Sequence, residues 1–240
     1  MDNSVWPLLI IATSLIPGIW IFFIPERQRF LRSALNIGGA LIKLQLVVLA
    51  LIGLYAGEVY QIQWQVLPGL ELKLKIDGLA GLFLLLSAFL WLLTTIYAIG
   101  YLENSPNRSR FFGFFTLCVS ATTGVAMAGN LFSFVLFYEL LTLATWPLVV
   151  HRGTQQAIAA GRVYLRYTLI GGGALLVGTV ILHMLAGSPD FVPGGYLDEL
   201  AIHQAWLWLV FGLLIAGLGV KAAITNNTLA MPKPCANSMP

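Results

Sequence analysis

The sequence predicts an all-α polytopic membrane protein of about seven transmembrane helices, and three observations carry that prediction. Of its 240 residues, 58% are hydrophobic and only 10% charged, against about a quarter charged in a water-soluble domain. Glycine (24), Trp (7) and Tyr (8) are plentiful, as closely packed helices and amphipathic rings at a lipid boundary require. The apolar residues gather into seven runs that meet or approach the roughly 20 residues a helix needs to cross a hydrocarbon core about 30 Å thick. A soluble enzyme is excluded at the outset.

The runs cover residues 5–24, 34–55, 78–100, 111–128, 131–150, 164–186 and 205–223. The first follows Met1-Asp2-Asn3-Ser4 directly, without the basic region of a signal peptide, and reads as a true span. Between the second and third, Gln61-Ile62-Gln63-Trp64-Gln65-Val66 and Leu70-Glu71-Leu72-Lys73-Leu74-Lys75-Ile76 alternate about Pro68-Gly69, which predicts a small β-hairpin lying on the membrane surface. Pro147 in the fifth span loosens that helix toward its end because it lacks an N–H. Gly171-Gly172-Gly173 in the sixth is flanked by Leu169-Ile170 and Ala174-Leu175-Leu176, so it reads as a close-packing or helix-loosening site and not as a phosphate loop. Residues 224–240 are polar and carry three prolines; they are expected to form a disordered tail behind a transmembrane domain of residues 1–223.

Charge gives the expected sidedness. Arg27, Arg29, Arg32, Arg108, Arg110, Arg152, Arg162 and Arg166 fall on one set of alternate loops or helix ends, joined by Lys233, whereas the other set holds Lys73 and Lys75 and most of the acids. Basic residues in short loops stay cytoplasmic, so the amino terminus is expected outside and the carboxyl terminus inside, in a bacterial cytoplasmic (inner) membrane. The net charge of +3 is then a topology signal and no nucleic-acid site. Cys118 and Cys235 stand far apart without a ligand cluster, so neither a disulfide framework, a metal nor any other cofactor is expected.

Three ionisable residues remain at bilayer depth: Lys43, Glu139 and Lys221. Each costs about 2.5 to 3.5 kcal/mol at a helix centre, so each needs a partner or a purpose. Glu139 lies nine residues into the fifth run, about 13 Å deep and beyond snorkelling. Lys221 closes the seventh run after Gly212, Gly217 and Gly219; by position it reads equally as an anchoring lysine and as a functional one. Lys43, beside Gln45 and two turns after Asn36, reads either as a structural lysine satisfied inside the bundle or as an accessory group. His183 at the outer end of the sixth span and His151 at the cytoplasmic end of the fifth are further titratable candidates; the first reads as an interfacial histidine, and the second, with Arg152, as a topology residue or else as a proton-passing histidine at a channel mouth.

The order of the motifs resembles a known family. Asp77-Gly78-Leu79 at the entry of the third span and Tyr97-Ala98-Ile99-Gly100-Tyr101-Leu102 at its exit are similar to the large membrane subunits shared by Mrp-type cation/proton antiporters and respiratory complex I. Phe137-Tyr138-Glu139-Leu140-Leu141-Thr142-Leu143 and Gly219-Val220-Lys221-Ala222-Ala223 resemble that family's fifth- and seventh-helix signatures. The resemblance covers approximately residues 1–223. It implies that Glu139 carries a proton, that Lys221 is its partner, and that proton movement is coupled to a second ion such as Na+ or K+ or to redox chemistry in partner subunits. The family continues past the lysine through a further helix and an inverted repeat, whereas residues 224–240 here differ, which predicts an amino-terminal fragment. Two functions are therefore expected in competition: a proton-conducting membrane subunit of a cation/proton antiporter or complex I-like assembly of several subunits, and a truncated, non-conducting structural piece of one. The sequence shows no nucleotide-binding glycine pattern or nucleophile–base arrangement, so enzymatic activity by the chain alone is not expected.

Overall fold

The computed structural model describes residues 3–102, 107–187, 190–192, 194–195 and 203–221; the expected tail, Cys235 and the Ala222-Ala223 end of the seventh motif lie outside these. Over the described residues the chain is a bundle of seven helices and one hairpin: α1 (Trp6–Ile21), α2 (Arg29–Tyr55), β1 (Tyr60–Leu67), β2 (Leu70–Ile76), α3 (Gly78–Tyr101), α4 (Arg108–Ala126), α5 (Leu131–Val149), α6 (Gln155–Ala186) and α7 (Gln204–Lys221). The seven apolar runs each become a helix. The differences lie at the starts of α2 and α6, which extend five and nine residues before the apolar runs at 34 and 164, because a helix continues through polar residues once its caps and neighbours allow it.

Six of the helices are long and apolar enough to cross a membrane; α4 is the exception. Its place in the bundle explains why it is tolerated. It packs against α1, α5 and α3, and its Ser109, Thr116, Ser120 and Thr123 are buried. Those hydroxyls would be expensive facing lipid, but inside the bundle they meet other polar groups. Helix α2 supplies several. Arg32 Nη1 donates to Ser109 Oγ (2.8 Å), Thr116 Oγ1 donates to Asn36 Oδ1 (2.7 Å), and Lys43 Nζ donates to Thr123 Oγ1. The two helices run the same way, and these rungs climb both of them together.

The hairpin forms as the alternation predicts. Tyr60 pairs with Ile76 and Gln65 with Glu71, with a bulge before the turn, where Gly69 takes a φ of +80° that a side chain would disfavour. One face supplies Tyr60, Leu74 and Ile76 to a core with Ile10, Ile11, Val47, Ala50, Leu84 and Met127. The free edge of β2 takes up the α4–α5 turn: Lys75 N donates to Met127 O (2.7 Å) and Gly129 N to Lys73 O (2.9 Å). The α6–α7 connection joins in turn, through Phe191 N to Gly129 O (2.9 Å) and an ion pair between Lys73 and Asp190. Asp77, the first residue of the Asp-Gly-Leu motif, is the N-cap of α3, accepting from Ala80 N at 2.9 Å, so the motif has a local reason independent of any chemistry.

Candidate functional site

Helix α5 is started by Asn130, whose Oδ1 accepts from Ser133 N (2.9 Å) while its Nδ2 donates to Glu71 O (2.8 Å). The cap fixes α5 to the hairpin and places Glu139 in the helix middle. Its carboxyl points at α6, where a methyl group on Gly172 would overlap it. Oε1 of Glu139 is buried with no hydrogen-bond partner. A carboxyl oxygen in that condition is costly and calls for a donor.

The donor is close. Lys221, at the end of α7, gives its Nζ to the backbone carbonyl of Tyr138 (2.6 Å), and the same ammonium lies 3.4 Å from the centre of the Tyr138 ring. It is therefore held on the residue next to Glu139. A cation over an aromatic face and on a carbonyl is stabilised without being neutralised.

The glycine run of α6 makes the approach possible. Gly171 receives Val220 of α7, Gly172 receives Glu139 of α5, and Gly173 meets nothing. Gly217 of α7 in turn sits against the Gly171 carbonyl and Leu175. Consecutive glycines on one helix thus seat the neighbours on either side, and the close-packing reading of this run holds. Tyr138, Val135 and Leu175 form the surrounding core.

The remaining candidates lie elsewhere. Lys43 is fully buried, bonded to Thr123 and 5.5 Å from the Trp91 ring centre. Thr123 donates its own hydroxyl proton to Val119 O (2.7 Å), so it is an acceptor for the lysine. His151 follows α5 and lies edge-on to Phe111 with ring centres 5.4 Å apart; its Nδ1 is unpaired, and burial, followed by Arg110, lowers its pKa from the ordinary 6.5. His183 sits in the last turn of α6, eleven residues and about 16 Å from Gly172. Its carbonyl accepts from Gly187 N at 2.8 Å. An apolar cleft of about 750 Å³ between α3 and α4, lined by Phe83, Leu90, Trp91, Phe115 and Val119, does not include Glu139 or Lys221.

Sequence reasoning missed Tyr138 as the seat of Lys221, although the aromatic residue stands beside Glu139 in the same motif. It also missed the hydrogen bond between Thr145 Oγ1 and Tyr164 OH (2.8 Å), one to two turns further along α5.

Two family profiles match the chain: NADH:quinone oxidoreductase/Mrp antiporter, TM, over residues 128–232, and NADH-Ubiquinone oxidoreductase (complex I), chain 5 N-terminus, over residues 67–112. Curated relatives include the N subunit of NADH-quinone oxidoreductase from Desulforudis audaxviator, 31% identical over 65% of this chain and 32% of that one. A probable K(+)/H(+) antiporter subunit from Rhizobium meliloti is 33% identical over 77% of this chain and 18% of its own. This chain thus spans a third or less of the length of these relatives. Among solved structures, the fold is similar to a chain of the Mrp complex from Dietzia sp. (TM-score 0.75, 20% identity, 93% of this chain and 42% of that one). It is also similar to a chain of respiratory complex I from Thermus thermophilus (TM-score 0.65, 19% identity, 91% and 44%).

Proposed function

This chain belongs to the family of membrane subunits shared by NADH:quinone oxidoreductase and the Mrp antiporters, and from that premise we propose that Glu139 and Lys221 form a proton-relay pair in an antiporter or complex I-like assembly of several subunits. The observation that carries the proposal is the seating of Lys221 on the carbonyl of Tyr138, one residue from a carboxyl whose Oε1 has no partner.

The pair works by exchange of partners. When Glu139 is ionised, the attraction of opposite charges in a low-dielectric interior draws the Lys221 ammonium onto the carboxylate. When a proton arrives on Glu139, that attraction is lost and the ammonium returns to the Tyr138 carbonyl and ring. Two seats of comparable comfort keep the lysine from locking to the acid permanently, which a buried ion pair with a single arrangement would do. Protonation is thereby converted into movement of a charge, the form in which it is passed to a second ion or to neighbouring subunits. Other membrane subunits and the lipid bilayer are the partners this requires, with the arginine-rich face toward the cytoplasm. The activity belongs to the assembly and not to this chain as an enzyme.

The test is transport by the reconstituted assembly, read with a pH-sensitive dye in vesicles. Glu139→Gln and Lys221→Ala are each expected to abolish proton-coupled transport while the complex still assembles. Unchanged transport in both would sink the pair assignment. Assembly of the wild-type chain without any effect on transport would favour the rival reading, a non-conducting structural piece.

A further inference from the structure

The cleft between α3 and α4 has no part in the relay. Leu79, Phe83, Leu86 and Leu90 follow one another at steps of four, three and four residues, which puts them on one face of α3, and they line the cleft at 50% to 66% exposure. Phe115 and Val119 of α4 line it from the other side, with Trp91 packed on Val119 between them. The cleft is blind. Its lining on α3 runs from Leu79 to Thr94; beyond that, Ala98, Ile99 and Leu102 close on Phe111 and Phe112 of α4 in a core with Ile21 and Ile24. Fifteen residues of helix are about 22 Å long, too short a groove for a partner helix that must cross a hydrocarbon core of about 30 Å, but about the depth of one leaflet with its headgroup layer.

The other end of the cleft carries one charge of each sign. Lys75 of β2 and Asp77 just after it both line that end. They stand two positions apart on extended backbone, which sets them on one side of the chain about 7 Å from each other. The charges around them are already spent, since Lys73 pairs with Asp190 and Glu71 accepts from Gln63 Nε2 at 2.6 Å. Among the described residues Lys75 has no ion pair, and Asp77 gives Oδ1 to Ala80 N (2.9 Å) and keeps its second oxygen. A cation and an anion at the mouth of an apolar slot one leaflet deep are complementary to a zwitterion carried on an acyl chain, its phosphate on Lys75 and its ammonium on Asp77. A primary ammonium donates charge-assisted hydrogen bonds to a carboxylate, whereas a quaternary one has no N–H to give. A headgroup of negative charge alone would meet Asp77 unfavourably.

We infer that the α3–α4 cleft is a binding site for one phospholipid with a primary-ammonium headgroup, its acyl chain lying along Leu79, Phe83, Leu86 and Leu90 and its headgroup on Lys75 and Asp77. The chain fills the space of about 750 Å³ that the two helices leave between them. The headgroup settles on the ribbon formed by β2, the α4–α5 turn and Phe191, because Gly129 and Phe191 line the same end of the cleft. Neither Glu139 nor Lys221 lines this site, so it stands or falls independently of the relay.

The test uses phosphatidylethanolamine with a photoreactive diazirine near the end of its acyl chain, in vesicles holding the assembly that contains this chain. After illumination, peptide mapping is expected to place the adduct on α3 between Phe83 and Thr94 or on α4 between Phe115 and Thr122. Unlabelled phosphatidylethanolamine should compete about tenfold better than phosphatidylcholine or phosphatidylglycerol. Asp77→Asn keeps an acceptor for the helix cap and removes the charge; it and Lys75→Gln are each expected to lower labelling about tenfold at an unchanged melting temperature. Leu86→Trp fills the slot and should abolish labelling, and the two charge variants decide the matter if that chain fails to fold. Equal competition by the three lipids, or full labelling of both charge variants, overturns the site. So does a benzophenone-bearing residue in place of Phe83 that cross-links to polypeptide and not to lipid, since another protein segment would then occupy the cleft.

Discussion

Lys43 and Lys221 both lie among the helices, and their housings differ. Lys43 is enclosed completely, with a hydroxyl acceptor and an indole face, in a seam whose rungs tie α2 to α4 in register. The unpaired atoms along that part of the bundle are Trp91 Nε1 and Thr95 Oγ1, a ring N–H and a hydroxyl, neither of which changes charge near neutral pH. Lys221 is only part-buried, rests on a carbonyl and a ring, and has beside it an unpaired carboxyl oxygen that does. Burial of a cation is thus no sign of transport by itself. What separates the two sites is the presence, within reach, of a second group whose charge can change and whose bonding is incomplete.

The largest expected effect breaks the comparison at its stronger side. Glu139→Gln keeps the shape and removes the proton, and is expected to cut proton-coupled transport at least 100-fold, about 2.7 kcal/mol of barrier, with little change in the melting temperature of the assembly. The Lys43 site predicts the reverse profile. Lys43→Ala, which leaves a hole and an unmet hydroxyl, is expected to cost roughly 2 to 5 kcal/mol of stability. Lys43→Met, apolar and of similar length, is expected to be near neutral or stabilising, with transport retained. A stable Lys43→Met complex that no longer moves protons would collapse the distinction between the two lysines.

A smaller effect sharpens it. Gly172→Ala places a methyl where the Glu139 carboxyl lies, and the end of a flexible side chain can yield. The fold should survive, while displacement of the carboxyl from Lys221 slows transport about tenfold, or about 1.4 kcal/mol; Gly173→Ala, which meets nothing, is the control that should leave the rate alone. The smallest effect is at the surface. Asp190→Asn breaks the ion pair with Lys73, whose acid is about half exposed, and thermal unfolding should register less than about 1 kcal/mol, diminishing further in salt.

Much of this fold was legible as hydropathy, since runs of 18 to 23 apolar residues have few alternatives to a buried helix. The hairpin was legible for the same kind of reason, because Leu72, Leu74 and Ile76 alternate with polar residues about a Pro-Gly turn. Neighbourhood was not. The rungs Ser109, Thr116 and Thr123 recur every seven residues and could have been set against Arg32, Asn36 and Lys43, but only once α2 and α4 are known to lie side by side, which hydropathy leaves open. Glu139 and Lys221 stand 82 positions apart, and position alone leaves Lys221 balanced between anchor and partner; it is the resemblance that implies the pairing, while the geometry seats Lys221 on Tyr138, the residue beside Glu139. Gly171-Gly172-Gly173 announced close packing without saying that the middle residue would face a carboxyl.

The hairpin has a mechanical consequence. Backbone hydrogen bonds pass without interruption from β1 to β2, from β2 to the α4–α5 turn, and from that turn to Phe191 in the α6–α7 connection, so three connections at one face are sewn into a single ribbon. At the other face Glu26, Arg32 and Ser109 are tied through side chains, while the α5–α6 turn depends on its own short bonds. One face of the bundle is thus held through backbone hydrogen bonds and the opposite one through side chains, so that a side-chain substitution can loosen the second while the bonds of the first stay in place.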